Sequence, residues 1–240
     1  MTQEVQPVLA LLPGLLCDAR AFGLQMRALR GEVDCRVVDM TLDDTLGAMA
    51  DRVLAEMPER FALAGFSMGG YVALEVMRRL AATGQTQRVT RLALLDSRAV
   101  CDGPGESDGR RRLIAMAREG RFEWVLPELL PKFVHRDRLG DAVLMGTLAA
   151  MAAATGPQAF IRQQQALIAR EDCRPVLGQV TAPTLVVVGD ADALTPPERA
   201  REMADGIAGA ELEVIADSGH FTLLERPDAV TAALRRWLGL

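Results

Sequence analysis

Along this chain, apolar runs of four or five residues alternate with segments in which apolar positions recur every three to four residues. The runs fall at 8–12, 35–38, 61–65, 92–95, 184–188 and 212–215. Their length is that of a strand, and their near-continuous apolar character suits strands covered on both faces of a parallel sheet. Between the second and third runs, Leu46, Met49, Ala50, Val53, Leu54 and Met57 sit at i, i+3, i+4, i+7, i+8 and i+11, with Asp43 or Asp44 as a cap and Pro58 as a stop. Similar helices are expected at 68–80, 198–207 and 229–238. The pattern predicts an α/β fold with a mostly parallel sheet of about six strands flanked by helices.

The alternation stops over 102–180. That stretch carries only helical patterns, at 113–118, 122–130, 139–154 and 158–169, punctuated by Gly103-Pro104-Gly105, Pro127, Pro131 and Gly156-Pro157. A helical insertion between the fourth and fifth strands is expected, forming a cap at 102–180 over a core built from 1–101 and 181–240. The Ala-rich hexamer at 149–154 reads as helix propensity.

Composition narrows the chemistry. The chain has 240 residues, 50 % hydrophobic, with 27 Lys and Arg against 32 Asp and Glu, a net charge of −5. Disorder, collagen and coiled coil do not fit, and nucleic-acid binding lacks the basic surplus that it requires. Cys17, Cys35, Cys101 and Cys173 form no CxxC pair and no zinc spacing, so they read as reduced thiols, and no metal site is expected. The first residues carry Gln and Glu rather than a basic leader, and 8–12 is too short for a signal core or a membrane span, which makes the cytoplasm the expected address. Only two His are present, His135 and His220, and four Ser, at 67, 97, 107 and 218.

Gly65-Phe66-Ser67-Met68-Gly69-Gly70 follows the third apolar run and precedes a helical stretch. At this composition G-x-S-x-G should arise by accident about 0.03 times. A strand-to-helix turn of this type strains the serine backbone and needs small residues two before and two after it, which Gly65 and Gly69 provide. It places the Ser67 hydroxyl at the positive end of the next helix, where the Met68 N–H faces a developing oxyanion. A serine nucleophile needs a base. His220, in Asp217-Ser218-Gly219-His220-Phe221 after the last run, lies at the same sheet edge; His135 lies in the insertion among charged neighbours and reads as an ordinary surface or core ring. The orienting carboxylate is assigned to Asp192 in Gly189-Asp190-Ala191-Asp192, with Asp96 and Asp190 as alternatives.

The chain order Ser67, Asp192, His220, with the serine in a strand–turn–helix elbow, resembles the α/β-hydrolase fold over nearly the whole chain. Thr195-Pro196 after the acid loop and Leu224-Glu225-Arg226-Pro227 after the histidine strengthen the resemblance, and within this fold the chain is similar to small capped bacterial esterases such as those of the enol-lactone hydrolase and pimeloyl carrier-protein methyl esterase type. It implies acyl transfer through an acyl-enzyme on a small-molecule ester, lactone or thioester, with no cofactor, and the Leu15 N–H as second oxyanion donor beside that of Met68. Two departures stand out. Leu12-Pro13-Gly14-Leu15-Leu16 lacks the His that such relatives carry in the first loop, so that loop's hydrogen bonds must come from elsewhere; and only seven residues precede the first run, where relatives have a hairpin, leaving room for one short extra edge strand at most. A slow or inactive ligand sensor, and a C–C hydrolase or perhydrolase on the same triad, are the alternative readings.

Phe122, Trp124, Leu126, Phe133, Met145, Met151 and Phe160 of the insertion supply an apolar set for an acyl pocket, with most of them expected to be core of the cap. Arg110-Arg111-Arg112, Arg118 and Arg121 form a cationic stretch that reads as a solvated helical face, with docking of an anionic or carrier-bound substrate as the sharper alternative.

Overall fold

The computed structural model describes residues 6–103 and 105–240. The elements follow in the order β1 Val8–Leu12, α1 Gly23–Ala28, β2 Asp34–Val37, α2 Leu46–Glu56, β3 Phe61–Phe66, α3 Met68–Ala82 and β4 Val89–Leu95. Then come α4 Glu106–Arg118, α5 Val125–Phe133, α6 Ala142–Ile168, α7 Arg174–Leu177, β5 Thr184–Gly189, α8 Pro197–Gly206, β6 Glu211–Ile215, α9 Thr222–Glu225 and α10 Pro227–Leu238. All strand pairs are parallel, in the order β2-β1-β3-β4-β5-β6.

Every residue of β3 and β5 is buried, and β1 is buried from Leu9 onward, as their apolar runs require. Cover on both faces does not extend to β2 and β6. These are the sheet edges, each with a single neighbour, and Val214 stands 44 % exposed. β2 also begins one residue earlier than its apolar run, at Asp34, because Val8 pairs with that position in register. Among the described residues no further edge strand is present; residues 1–5 lie outside them. Two cores flank the sheet, one through Met49, Val53 and Leu74 under α2 and α3, the other through Phe22, Leu234 and Trp237 under α1 and α10.

Between β4 and β5 the described residues are helical or irregular, with no strand. The two helices expected at 139–154 and 158–169 run on as α6, broken at Gly156 with φ 69° and ψ 170°. Gly tolerates that backbone and Pro157 restarts the helix. By length and composition α6 passes as a membrane span, yet the break interrupts it, and Leu148, Met151 and Phe160 are buried against protein. Leu113, Ile114, Val125 and Phe160 form a small core of this segment, which Leu16 of the β1 loop enters.

Candidate active site

Ser67 sits between β3 and α3 with φ 53° and ψ −113°, a strained conformation for a residue with a side chain. The turn closes only because its neighbours lack side chains: a Cβ on Gly65 would overlap the Gly69 carbonyl, one on Gly69 the Leu12 carbonyl, and one on Gly70 the Ser97 side chain. Ser97, on the loop after β4, donates its hydroxyl hydrogen to the Ser67 carbonyl at 2.9 Å. As the first residue of α3, Met68 has an N–H without an intrahelical acceptor.

His220 follows β6, is 2 % exposed, and brings Nε2 to 2.8 Å from Ser67 Oγ and Nδ1 to 2.8 Å from Asp192 Oδ2. With its proton on Nδ1, the ring donates to the carboxylate and accepts from the serine. Asp192 lies on the loop after β5. Its Oδ1 accepts the N–H groups of Leu194 and Thr195 at 2.8 and 2.9 Å, and its Oδ2 also accepts the Thr195 hydroxyl at 2.6 Å. Burial opposes ionisation of this carboxyl, but the neighbouring His220 charge and these hydrogen bonds outweigh it and hold Asp192 below the usual carboxylate range.

The other candidates lie elsewhere. Asp190 accepts the Ser218 N–H at 3.1 Å and bonds to no imidazole. Asp96, fully buried with φ 46°, accepts the Gly189 N–H at 3.1 Å and the Thr222 hydroxyl at 2.5 Å, tying the loop after β5 to that of His220. Burial, reinforced by the Asp192 charge, pushes its carboxyl well above the ordinary range. The His135 ring, on the loop after α5, accepts the Asp137 N–H at 3.3 Å.

Three supporting residues carried no role in the sequence. The first is Thr195, whose hydroxyl also approaches His220 Nδ1 to 3.3 Å. The second is Gln163 of α6, 0 % exposed, which accepts the Leu16 N–H at 3.1 Å and donates to the Met40 carbonyl at 3.2 Å. It fastens the first loop, which lacks a His, by a side-chain hydrogen bond, and Leu16 is held there with φ 60°. Glu225 is the third. Its Oε1 accepts the Gly219 and Phe221 N–H groups at 3.0 and 3.2 Å, and its Oε2 accepts the His135 N–H at 2.9 Å. The Phe133 carbonyl in turn accepts the His220 N–H at 3.0 Å, so the end of α5 is strapped to the histidine loop. Thr195 and Glu225 stand in short motifs that the sequence singles out without a role, whereas Gln163 carries no local signal because its partners lie on distant loops.

A cavity of about 540 Å³ opens onto Ser67 and His220, with Leu15 and Met68 also on its wall. Of the apolar cap residues offered for the pocket, Phe133 is on its wall, together with Leu113, Leu129, Leu167 and Phe66. Phe160 and Met151 are buried in packing between elements, and Trp124 is 60 % exposed. The arginines divide as well. Arg111 and Arg121 pair on the surface with Asp108 and Glu119, whereas Arg110 and Arg112 reach the cavity wall. Among the described residues no three His, Cys, Asp or Glu side chains are grouped to hold a metal, and all four cysteines are free.

The chain is 28 % identical over 195 residues to a pimeloyl-[acyl-carrier protein] methyl ester esterase from Aromatoleum aromaticum, covering 77 % of this chain and 76 % of that protein. A thermophilic esterase from Thermogutta terrifontis superposes with a TM-score of 0.86 at 28 % identity, covering 98 % of this chain and 89 % of the other. The enol-lactonase from Burkholderia xenovorans LB400 gives 0.87 at 23 %, with coverages of 100 % and 94 %, a likeness of fold. The model of the alpha/beta hydrolase family matches residues 9–233. With that match reaching all six strands, the serine elbow and the loops that carry Asp192 and His220, the chain belongs to the alpha/beta hydrolase family.

Proposed function

We propose that the protein is a serine hydrolase of carboxylic esters, using Ser67, His220 and Asp192 as a catalytic triad and the backbone N–H groups of Leu15 and Met68 as the oxyanion hole. The observation that carries this reading is the unbroken hydrogen-bonded row from Ser67 Oγ through both ring nitrogens of His220 to Asp192. Ser67 Oγ adds to the ester carbonyl while His220 Nε2 takes the hydroxyl proton. That proton passes to the departing alkoxide, leaving an acyl-serine and a free alcohol. Water then gives a proton to His220 and its oxygen to the acyl carbon, and the carboxylic acid leaves as Ser67 recovers its proton. The ionised Asp192 stabilises the imidazolium of both steps. Residues 102–180 act as the cap that shapes the acyl pocket, and the cytoplasm is the expected setting.

The similarity to esterases supports esters over C–C bonds as the bond cleaved. Ser67→Ala should abolish turnover of p-nitrophenyl butyrate with the thermal transition retained. A variant with wild-type turnover would remove Ser67 from the mechanism. Turnover too slow to measure in the wild type, with ligand-dependent thermal shifts, would favour a sensor instead.

A further inference from the structure

The charges on the cavity wall run against those of the whole protein. The chain carries −5, yet among the described residues Arg98, Arg110, Arg112 and Lys132 line the cavity against Glu106 and Glu128. Arg112 is engaged by Glu128, while Lys132 has no ion-pair partner among the described residues. Deeper in, one carboxylate carries three guanidinium groups. Asp102, its side chain 4 % exposed, receives Arg110 Nε at 2.9 Å, Arg170 Nη1 at 2.7 Å and Arg98 Nη2 at 3.3 Å. Glu106 takes Arg98 Nη2 at 2.8 Å, and Gln164 takes Arg110 Nη1 at 2.9 Å.

Among the described residues this cluster is one negative charge short, with three guanidiniums to two carboxylates. It is also short of acceptors there: Arg98 Nε and Arg170 Nη2 are buried with no hydrogen-bond partner among the described residues. A buried donor left unpaired is costly, and more so on a cation. Arg98 is 8 % exposed and immediately follows Ser97, which is bonded to the Ser67 backbone, so the deficit lies beside the serine elbow. A single monoanion balances the cluster, where a phosphate dianion would overshoot it. The guanidinium fork matches the two oxygens of a carboxylate.

We propose that the substrate is an ester bearing a carboxylate, which docks against Arg98 and Arg110 while its ester carbonyl lies at Ser67. The proposal rests on the serine-hydrolase reading and names its substrate class. The test compares the wild-type protein on monoethyl half-esters of four- to seven-carbon dicarboxylic acids with the corresponding diethyl esters, which share the leaving group. At the best chain length kcat/KM should favour the half-ester by about tenfold to a hundredfold, the range of a charge-assisted hydrogen bond, and the preference should shrink with added salt. Arg110→Gln should bring that ratio near one through KM, and Arg110→Lys should restore part of it.

A second measurement needs no variant. Free dicarboxylates should inhibit hydrolysis of p-nitrophenyl butyrate at lower concentration than monocarboxylates of equal length. Hydrolysis of p-nitrophenyl butyrate without half-ester preference at any length, and without dicarboxylate inhibition, would overturn the proposal and leave the triad standing. Absence of all turnover together with no labelling of Ser67 by a fluorophosphonate would overturn both. Preference for coenzyme A thioesters over N-acetylcysteamine thioesters, without half-ester preference, would reassign the anion to a phosphate and also overturn it.

Discussion

Replacing Glu225 by Gln changes one oxygen into an NH2 group with almost no change in volume. In the wild type the carboxylate accepts three backbone N–H groups, two on one oxygen from the histidine loop and one on the other from the end of α5. A glutamine keeps the pair on its oxygen but turns a donor toward the His135 N–H, or makes the reverse choice and orphans two. A Cβ on Gly219 would come to 2.5 Å from the His135 nitrogen, so the two backbones are too close for a water to replace the lost acceptor. One buried, unsatisfied N–H costs about 1–3 kcal/mol. For a chain of this size that lowers Tm by about 2–12 °C. The loss should also reach catalysis, because the strap holds the loop whose His220 N–H bonds to Phe133 and whose ring must meet Ser67 at 2.8 Å. A displacement of about 1 Å there is worth about a hundredfold in rate. Differential scanning fluorimetry and kcat for p-nitrophenyl butyrate, measured well below Tm, check both effects. A Tm drop with kcat within about twofold of wild type would show Glu225 to be a structural strap only. An unchanged Tm would refute the reasoning outright, since the mutation would then have cost no buried hydrogen bond.

Gly69→Ala should fail to give a soluble protein, or lower Tm by more than Glu225→Gln does, since its Cβ would overlap the Leu12 backbone carbonyl and no rotamer relieves it. The two buried acids act oppositely on stability. Asp192, held low, contributes stability that is present above its unfolded pKa and lost as pH falls through its folded value. Asp96, held high, contributes most below its unfolded pKa and loses that contribution as pH rises toward its folded value, so Asp96→Asn should flatten the change of Tm as pH rises above the ordinary carboxylate range; a slope equal to wild type would count against it. In thiol titration with a disulfide reagent at pH 8, exposed Cys101 should react first and Cys17 only on unfolding, because burial pushes the Cys17 thiol up and pushes Cys35 and Cys173 to about 11.

The sequence by itself determined the parallel sheet and the helical stretch that interrupts it, because both follow from local periodicity. A strand buried on both faces must be apolar throughout, and an amphipathic helix must repeat every three to four residues, whatever lies around them. The elbow was equally legible, since the strain at Ser67 demands small residues at fixed offsets in the same short segment. What only the tertiary structure decided are the partnerships between distant segments. Nothing local marks Gln163 as the residue that fastens the β1 loop, nor Glu225 as the strap across α5 and the histidine loop. The same holds for the pocket. Helical periodicity places Phe160 and Arg110 in helices but not on a particular wall, and packing turned the aromatic ring inward and the guanidinium toward the cavity. Hydrophobic burial is nearly non-directional and is written into each segment's composition. Hydrogen bonds and ion pairs are directional and need both partners in place, so they exist only once the chain has folded.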